Sequence, residues 1–445
     1  MFARHQRIFV LLLLTLGLSL SVVDRTVMAL AGPMLVSELG LSPAQLGWLL
    51  SAFTWSYVAL QLPAGWAVDR FGVRRTVLVA LLAWCLVSLL AGMAALLAHT
   101  FLWLVVLRLL SGVFNAPIAP AAGPTLAAWF PAAERGRAGA VFSSASYLAI
   151  GLFAPGLAWL AARFGWNAMF IAVALALAAL GALWSARFAM PLAQRHVTPG
   201  ELELLRTGGA VLQIAGTARV GRAEMLADVS AMLRSRMVYG ILLSHFSVAA
   251  TTYFFIGWFP SYLVSERGMT LIEAGSSAVL PAVCGCVGAL LTGWCTDALL
   301  RRTRSLSIAR TAPIVLGGAM MAAGFAGAAL GGSTQVVIAL LCLSMFGKGF
   351  GSLGWTMVSE LFPVRTVGLA GSLMNMVSNV AGIAVTVLIG YIVEFSGRYG
   401  GALWFMAGMA ALGCVGYFAL ARRLQPLRGP AQRESVTGEA AALEP

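Results

Sequence analysis

Apolar residues run along this chain in long blocks rather than in alternation, and the blocks share a common length. They cover 8–32, 45–68, 76–98, 101–128, 138–162 and 166–188; after a polar gap they resume at 237–263, 272–297, 311–332, 335–359, 366–394 and 401–421. About 20 helical residues, rising 1.5 Å each, cross the ~30 Å hydrocarbon core of a bilayer. Each window therefore predicts one spanning helix. Together they predict an all-α membrane protein of twelve transmembrane helices in two six-helix halves: an N-terminal bundle at 1–188, a cytoplasmic linker at 189–236, a C-terminal bundle at 237–423 and a disordered cytoplasmic tail at 424–445. Inside the linker, helical pieces are predicted at Glu201–Arg206 and Glu224–Arg234, but its Pro, Gly, Thr and charged residues read as a flexible tether along the inner leaflet.

Composition agrees with that reading: 60% of residues are hydrophobic and only 10% charged, which excludes an ordinary soluble globule. The net charge of +13 suggests nucleic-acid binding until its placement is considered. Basic residues crowd alternate gaps, at Arg4 and Arg7, Arg70 to Arg75, Arg135 and Arg137, Arg187 to Arg236, Arg301 to Arg310, Arg365, and Arg422 to Arg433. The intervening gaps hold only Arg163, Arg267 and Arg398. Cytoplasmic loops are the ones enriched in Lys and Arg, so both termini are expected in the cytoplasm and no nucleic-acid partner is expected; the lipid bilayer is the partner. The first apolar block is too long for a cleavable signal and carries Asp24 and Arg25, so it reads as the first span. The six cysteines all fall inside predicted helices, where a thiol behaves as a small apolar group, so neither disulfide nor metal is expected. A membrane enzyme would need a nucleophile, metal ligands or a phosphate-binding loop, and the sequence offers none.

Three cations lie inside spanning windows: Arg25, Arg108 and Lys348, the last being the only lysine in the chain. A charge at that depth costs several kcal/mol and is kept where it faces a cavity, a partner charge or a ligand. Offsets of four and seven return to one helix face, so Arg108 shares a stripe with Gly112 and Asn115, Lys348 with Ser352 and Trp355, and Tyr57 with Gln61. Asn375 and Asn379 supply amides from a further helix. Cations, hydroxyls, amides and an aromatic wall suit a hydroxylated carboxylate. For single polar residues such as Ser352 or Asn379, an interhelical hydrogen bond explains them equally well, and Lys348 either binds an anion or snorkels away from the apolar core. Arginine suits the task because its planar fork binds a carboxylate bidentately and stays protonated.

The two halves echo each other: Phe130-Pro131 leads to Ala138-Gly139 as Phe362-Pro363 leads to Ala370-Gly371, and Gly65…Asp69 has a partner in Gly293…Asp297. Such duplication is expected of a carrier built from repeats. The run Gly65-Trp66-Ala67-Val68-Asp69-Arg70-Phe71-Gly72-Val73-Arg74-Arg75 resembles the signature between helices two and three of the major facilitator superfamily. Ser21-Val22-Val23-Asp24-Arg25, Leu41-Ser42-Pro43-Ala44-Gln45-Leu46-Gly47, Leu107-Arg108 with Ala116-Pro117, and Asn375 through Gly382 resemble its anion:cation symporter branch, which includes bacterial carriers for galactonate, glucarate and hexuronates. That resemblance implies a bacterial inner-membrane protein, expected monomeric and without cofactor, that takes up an organic anion with protons by alternating access. It implies that Arg25 and Arg108 hold the substrate carboxylate and that loop charges, Asp69, Arg70, Arg74, Glu134 and Arg135, form a conformational latch.

Because arginine does not titrate here, coupling needs another group, and Asp24 is the candidate; alternatively it only neutralises Arg25. Many relatives carry a titrating glutamate where this chain has Asn115. The intramembrane tally of three cations against Asp24 points to a dianion, an aldarate or tartrate-like dicarboxylate, rather than a monocarboxylate. An uncoupled facilitator or exporter of organic anions is the alternative function.

Overall fold

The computed structural model describes residues 5–194, 197–212, 230, 232–351, 353–362, 367–421 and 424. Among them every regular element is helical and no strand occurs. In chain order the main elements are α1 (His5–Leu39), α2 (Pro43–Phe71), α3 (Val73–Gly92), α4 (Thr100–Asn115), α5 (Ile118–Trp129), α6 (Ala132–Phe164), α7 (Trp166–Arg187) and α8 (Pro199–Thr207). Then come α9 (Arg236–Tyr253), α10 (Phe259–Ser265), α11 (Leu271–Ser277), α12 (Val279–Thr303), α13 (Leu306–Leu330), α14 (Thr334–Phe350), α15 (Gly354–Leu361), α16 (Val367–Ser396) and α17 (Gly400–Leu420). Nine stretches among the described residues are long and apolar enough to cross a membrane. The other three predicted windows hold α2, α6 and the pair α14 and α15.

Several windows are interrupted for reasons visible in the sequence. The fourth breaks at Ala116 and Pro117, because a proline inside a helix removes a donor and clashes with the preceding turn. The seventh passes through a π-turn at Phe254–Trp258 just ahead of Pro260. The Leu41-Ser42-Pro43-Ala44-Gln45 motif is a capping box: Ser42 accepts from the Gln45 backbone, Gln45 returns the bond, and Pro43 occupies the first turn, where no N–H is needed.

Contacts gather the chain into two compact units, the first being Met1–Thr217, Tyr253–Val283 and Ile383–Tyr399. Its core runs from Val10 and Leu14 through Trp84, Trp129 and Trp166 to Phe170, Trp184 and Phe188. Here α3 packs on α7, α1 on α6, and α2 on α4. Where α2 meets α16, a Cβ on Gly47 would lie 2.9 Å from the Thr386 carbonyl and one on Gly390 2.7 Å from the Pro43 carbonyl. Beside that contact Glu394 accepts from the Ser42 hydroxyl (2.8 Å) and the Ala44 N–H (2.9 Å), completing the cap of α2, and Trp48 donates to the Tyr391 hydroxyl (3.3 Å).

The predicted linker helix at Glu201–Arg206 is present as α8, N-capped by Thr198. It is docked rather than tethered. Glu201 and Leu205 are buried, the Val211 N–H donates to the Ala127 carbonyl (2.9 Å), and a Cβ on Gly208 would strike the Pro131 ring. The second predicted piece, Glu224–Arg234, lies mostly outside the described residues.

The second unit is Ala218–Thr252, Cys284–Gly382 and Gly400–Pro445. Small residues set its packing, as expected where apolar solvent gives helices no hydrophobic reason to associate. A Cβ on Gly317 would lie 2.5 Å from the Gly347 carbonyl, one on Gly324 2.4 Å from the Leu340 carbonyl, and one on Gly318 2.8 Å from the Cys414 side chain. Thus α13 meets α14 backbone to backbone and α17 at the Cys414 side chain. Large apolar side chains such as Leu62, Leu152, Leu290, Trp294 and Phe395 are exposed on the surface of the chain, a skin suited to hydrocarbon rather than water.

Candidate functional site

Asp24 and Arg25 are adjacent on α1, and consecutive helical side chains diverge by about 100°. One therefore reaches α4 and the other turns towards α2. Asp24, 1% exposed, accepts from Arg108 Nη1 at 2.5 Å, and Arg108, 2% exposed, also approaches the Asp24 carbonyl at 3.5 Å. Half-buried Arg25 has no carboxylate among these contacts; its Nη1 donates to the Tyr253 hydroxyl across a long 3.4 Å. Both guanidinium groups lie over a single aromatic ring, Phe53, with Arg25 Cζ 4.6 Å and Arg108 Cζ 5.1 Å from its centroid. Tyr57 is buried one turn along and stacks on Phe53, 5.3 Å from Arg25 Cζ. Gln61, a further turn on, is half-buried.

Close approach of α2 and α4 makes this arrangement possible. A Cβ on Gly112 would lie 2.2 Å from both the Phe53 carbonyl and Ser56 Oγ, and Ser56 donates to the Leu109 carbonyl (2.6 Å). Two turns beyond Arg108, Asn115 accepts from Ser21 Oγ at 2.9 Å and so ties α4 to α1. At this cluster, Arg25 Nε, Arg108 Nε and Asn115 Nδ2 are buried with no hydrogen-bond partner among the described residues. Burying donors without acceptors is costly, and an arriving acceptor, an anion, would relieve it. No group of His, Cys, Asp and Glu suited to a metal occurs among the described residues.

In the second unit Lys348 is buried near the end of α14, and His245 on α9 lies within electrostatic range of it. Asn379 is buried and donates to the Asn375 carbonyl one turn back (2.8 Å), with Asn375 itself half-buried. Ser352 and the side chain of Trp355 lie outside the described residues. The structure thus brings together Asp24, Arg25, Arg108 and Tyr57 in the first unit, with Phe53, Ser21 and Tyr253 as additions. Phe53 was legible as the residue one turn before Tyr57 on the same face; Tyr253 carried no signal.

Three of the five predicted latch charges have partners inside the first unit. Arg74 donates to the Ser185 carbonyl (2.7 Å), Glu134 accepts from Arg7 (2.8 Å), and Arg135 reaches the Ala127 and Gly209 carbonyls at 3.3 Å each. Asp69 and Arg70 are exposed at the end of α2. Sequence reasoning missed Glu201. Burial on α8 pushes its carboxyl above the ordinary value, opposed by the nearby Arg7 charge.

The profile described as Major Facilitator Superfamily matches residues 14–330. The chain belongs to that superfamily. It is a transporter and a multi-pass membrane protein, not an enzyme. Among curated proteins it is 36% identical over 417 residues to a probable galactarate/D-glucarate transporter, GudP, of Bacillus subtilis (strain 168), covering 93% of this chain and 91% of that one. It is 31% identical over 421 residues to a D-galactonate transporter of Escherichia coli O6:H1, covering 94% and 96%. Among solved structures, an inward-facing, unoccupied bacterial homologue of the human lysosomal transporter Spinster superposes with a TM-score of 0.74 at 17% identity, covering 94% of this chain and 98% of that one.

Proposed function

We propose that this superfamily member carries a sugar-acid anion across the bacterial inner membrane, with a dicarboxylate such as an aldarate as substrate and a proton as the coupling ion. One observation carries the reading: buried Arg108, paired with Asp24, and half-buried Arg25 lie over one ring, and each keeps an Nε without a hydrogen-bond partner among the described residues. A substrate carboxylate meets that demand bidentately. The similarity to galactarate, D-glucarate and D-galactonate transporters supports the choice of hydroxylated acids.

Asp24 provides the coupling. Ionised, it occupies Arg108; protonated, it gives that guanidinium up to the substrate, so proton and anion load together. Asn115, hydrogen-bonded to Ser21, cannot titrate and leaves Asp24 as the carboxyl of this cluster. Lys348 is proposed as a further cation for the dianion on grounds of charge, with Ser352, Trp355, Asn375 and Asn379 as polar contributors. Purified protein in liposomes provides the test. An inward proton gradient should drive D-glucarate above its external concentration; equilibration without accumulation means an uncoupled facilitator, and no flux of any sugar acid overturns the reading.

A further inference from the structure

We propose that Phe53 is a positioning residue whose ring holds Arg25 and Arg108 aimed at one substrate carboxylate; the inference rests on the reading of those arginines as the anion site. Two like charges brought together without a ligand repel, and Asp24 neutralises only one of them. The face of an aromatic ring carries negative charge density that attracts a cation without forming hydrogen bonds. Phe53 therefore offers attraction to both guanidinium groups, at 4.6 and 5.1 Å, while consuming none of the N–H donors a carboxylate needs. A second protein carboxylate would hold the arginines equally well but would compete with the substrate for those donors. The ring keeps the pair organised in the empty site, and organisation in advance lowers the cost of binding.

The ring is itself held. Phe53 is 1% exposed, stacks on Tyr57 with centroids 5.8 Å apart, and sits on a backbone fixed against α4 at Gly112. Among the described residues the ring and hydrogen-bond contacts of Arg25 are the Phe53 ring, the more distant Tyr57 ring at 5.3 Å and, across a long 3.4 Å, the Tyr253 hydroxyl. Without the ring, Arg25 would relax away from Arg108 and the site would lose affinity rather than the fold. The competing explanation is that Phe53 only fills space among Tyr57, Ala64 and Ala116.

The two roles separate in a series that keeps the shape of the ring while draining its face. In the full-length protein, Phe53 is replaced by its 4-fluoro, 3,5-difluoro and 3,4,5-trifluoro analogues and, separately, by leucine (Phe53→Leu). D-glucarate binding is measured by calorimetry and substrate-free stability by thermal melting. Affinity should fall stepwise with fluorination, on the order of 3- to 30-fold in total, with Phe53→Leu at least as weak, while the melting temperature of the fluorinated proteins stays constant. A flat affinity across the fluorinated series overturns the proposal whatever Phe53→Leu does to folding. If the unmodified protein binds neither D-glucarate nor another sugar acid, the anion-site reading fails and takes this role with it; a binding wild type with a flat series removes the role of Phe53 alone.

Discussion

At the scale of single residues, two neighbours on one helix take opposite parts. Asp24 is committed to Arg108, whereas Arg25 lies over the Phe53 and, farther off, the Tyr57 ring and makes one long hydrogen bond. A buried ion pair gains little net stability, because desolvation offsets its attraction, so its retention points to use rather than to folding. Replacing Asp24 by a neutral isostere (Asp24→Asn) imitates the protonated state. Binding of D-glucarate should be equal to or tighter than wild type and counterflow exchange should survive, while gradient-driven accumulation falls to the equilibrium level. Proteoliposome uptake with and without an imposed proton gradient reads all three, and undiminished accumulation would refute the coupling role. The sequence identified Arg25 and Arg108 by the cost of their burial, but not which of them Asp24 would neutralise. Asp24 reads from the sequence either as the coupling group or as the counter-charge of Arg25, its neighbour; its pairing with Arg108 is not legible because adjacency in the chain is visible and a change of facing of about 100° is not.

At the scale of elements, glycines decide how near the helices come. Gly112 has the Phe53 carbonyl where a Cβ would go, whereas Gly123 on α5 has nothing within 4 Å. Gly112→Ala should therefore cost on the order of 1–3 kcal/mol through overpacking and weaken anion binding, since it pushes α2 and Phe53 off α4. Gly123→Ala should be neutral or stabilising by up to about 1 kcal/mol. Thermal melting of both variants side by side checks the contrast. The docked α8 supplies a pH effect. Burial raises the Glu201 carboxyl above its ordinary value of 4.5, so the folded state binds the proton more tightly than the unfolded chain. Stability contributed at this position is thus greatest below the ordinary carboxyl range and is lost as pH rises through the raised value. Glu201→Gln should raise the melting temperature at neutral pH and flatten its decline between acid and neutral pH; an unchanged slope means that Glu201 ionises without penalty. The helix itself was legible from its cap and charges at 198–206. Its docking was not, because the Pro131 ring and the Ala127 carbonyl that receive Gly208 and Val211 lie far earlier in the chain.

At the scale of the whole molecule, the charge inside the spans is the proposed basis for choosing the cargo. Three intramembrane cations stand against one carboxylate, so a substrate with two negative charges leaves less uncompensated charge than one with a single charge. In competition against labelled D-glucarate, unlabelled dicarboxylic sugar acids should displace it at concentrations at least about tenfold lower than monocarboxylic ones, a modest difference of ~1.4 kcal/mol. Equal displacement by monocarboxylates would remove the dianion preference while leaving the transporter intact. What the sequence determined alone was the class of molecule and the places where it spends charge, because blocks of spanning length and the penalty for burying a guanidinium are properties of composition and order along one dimension. The tertiary structure decided the rest: that Arg108 rather than Arg25 is neutralised, that both arginines share Phe53, and that the start of the linker is docked. Those are distances between residues far apart in the chain, set by which small residues let two helices touch, and no local pattern contains them.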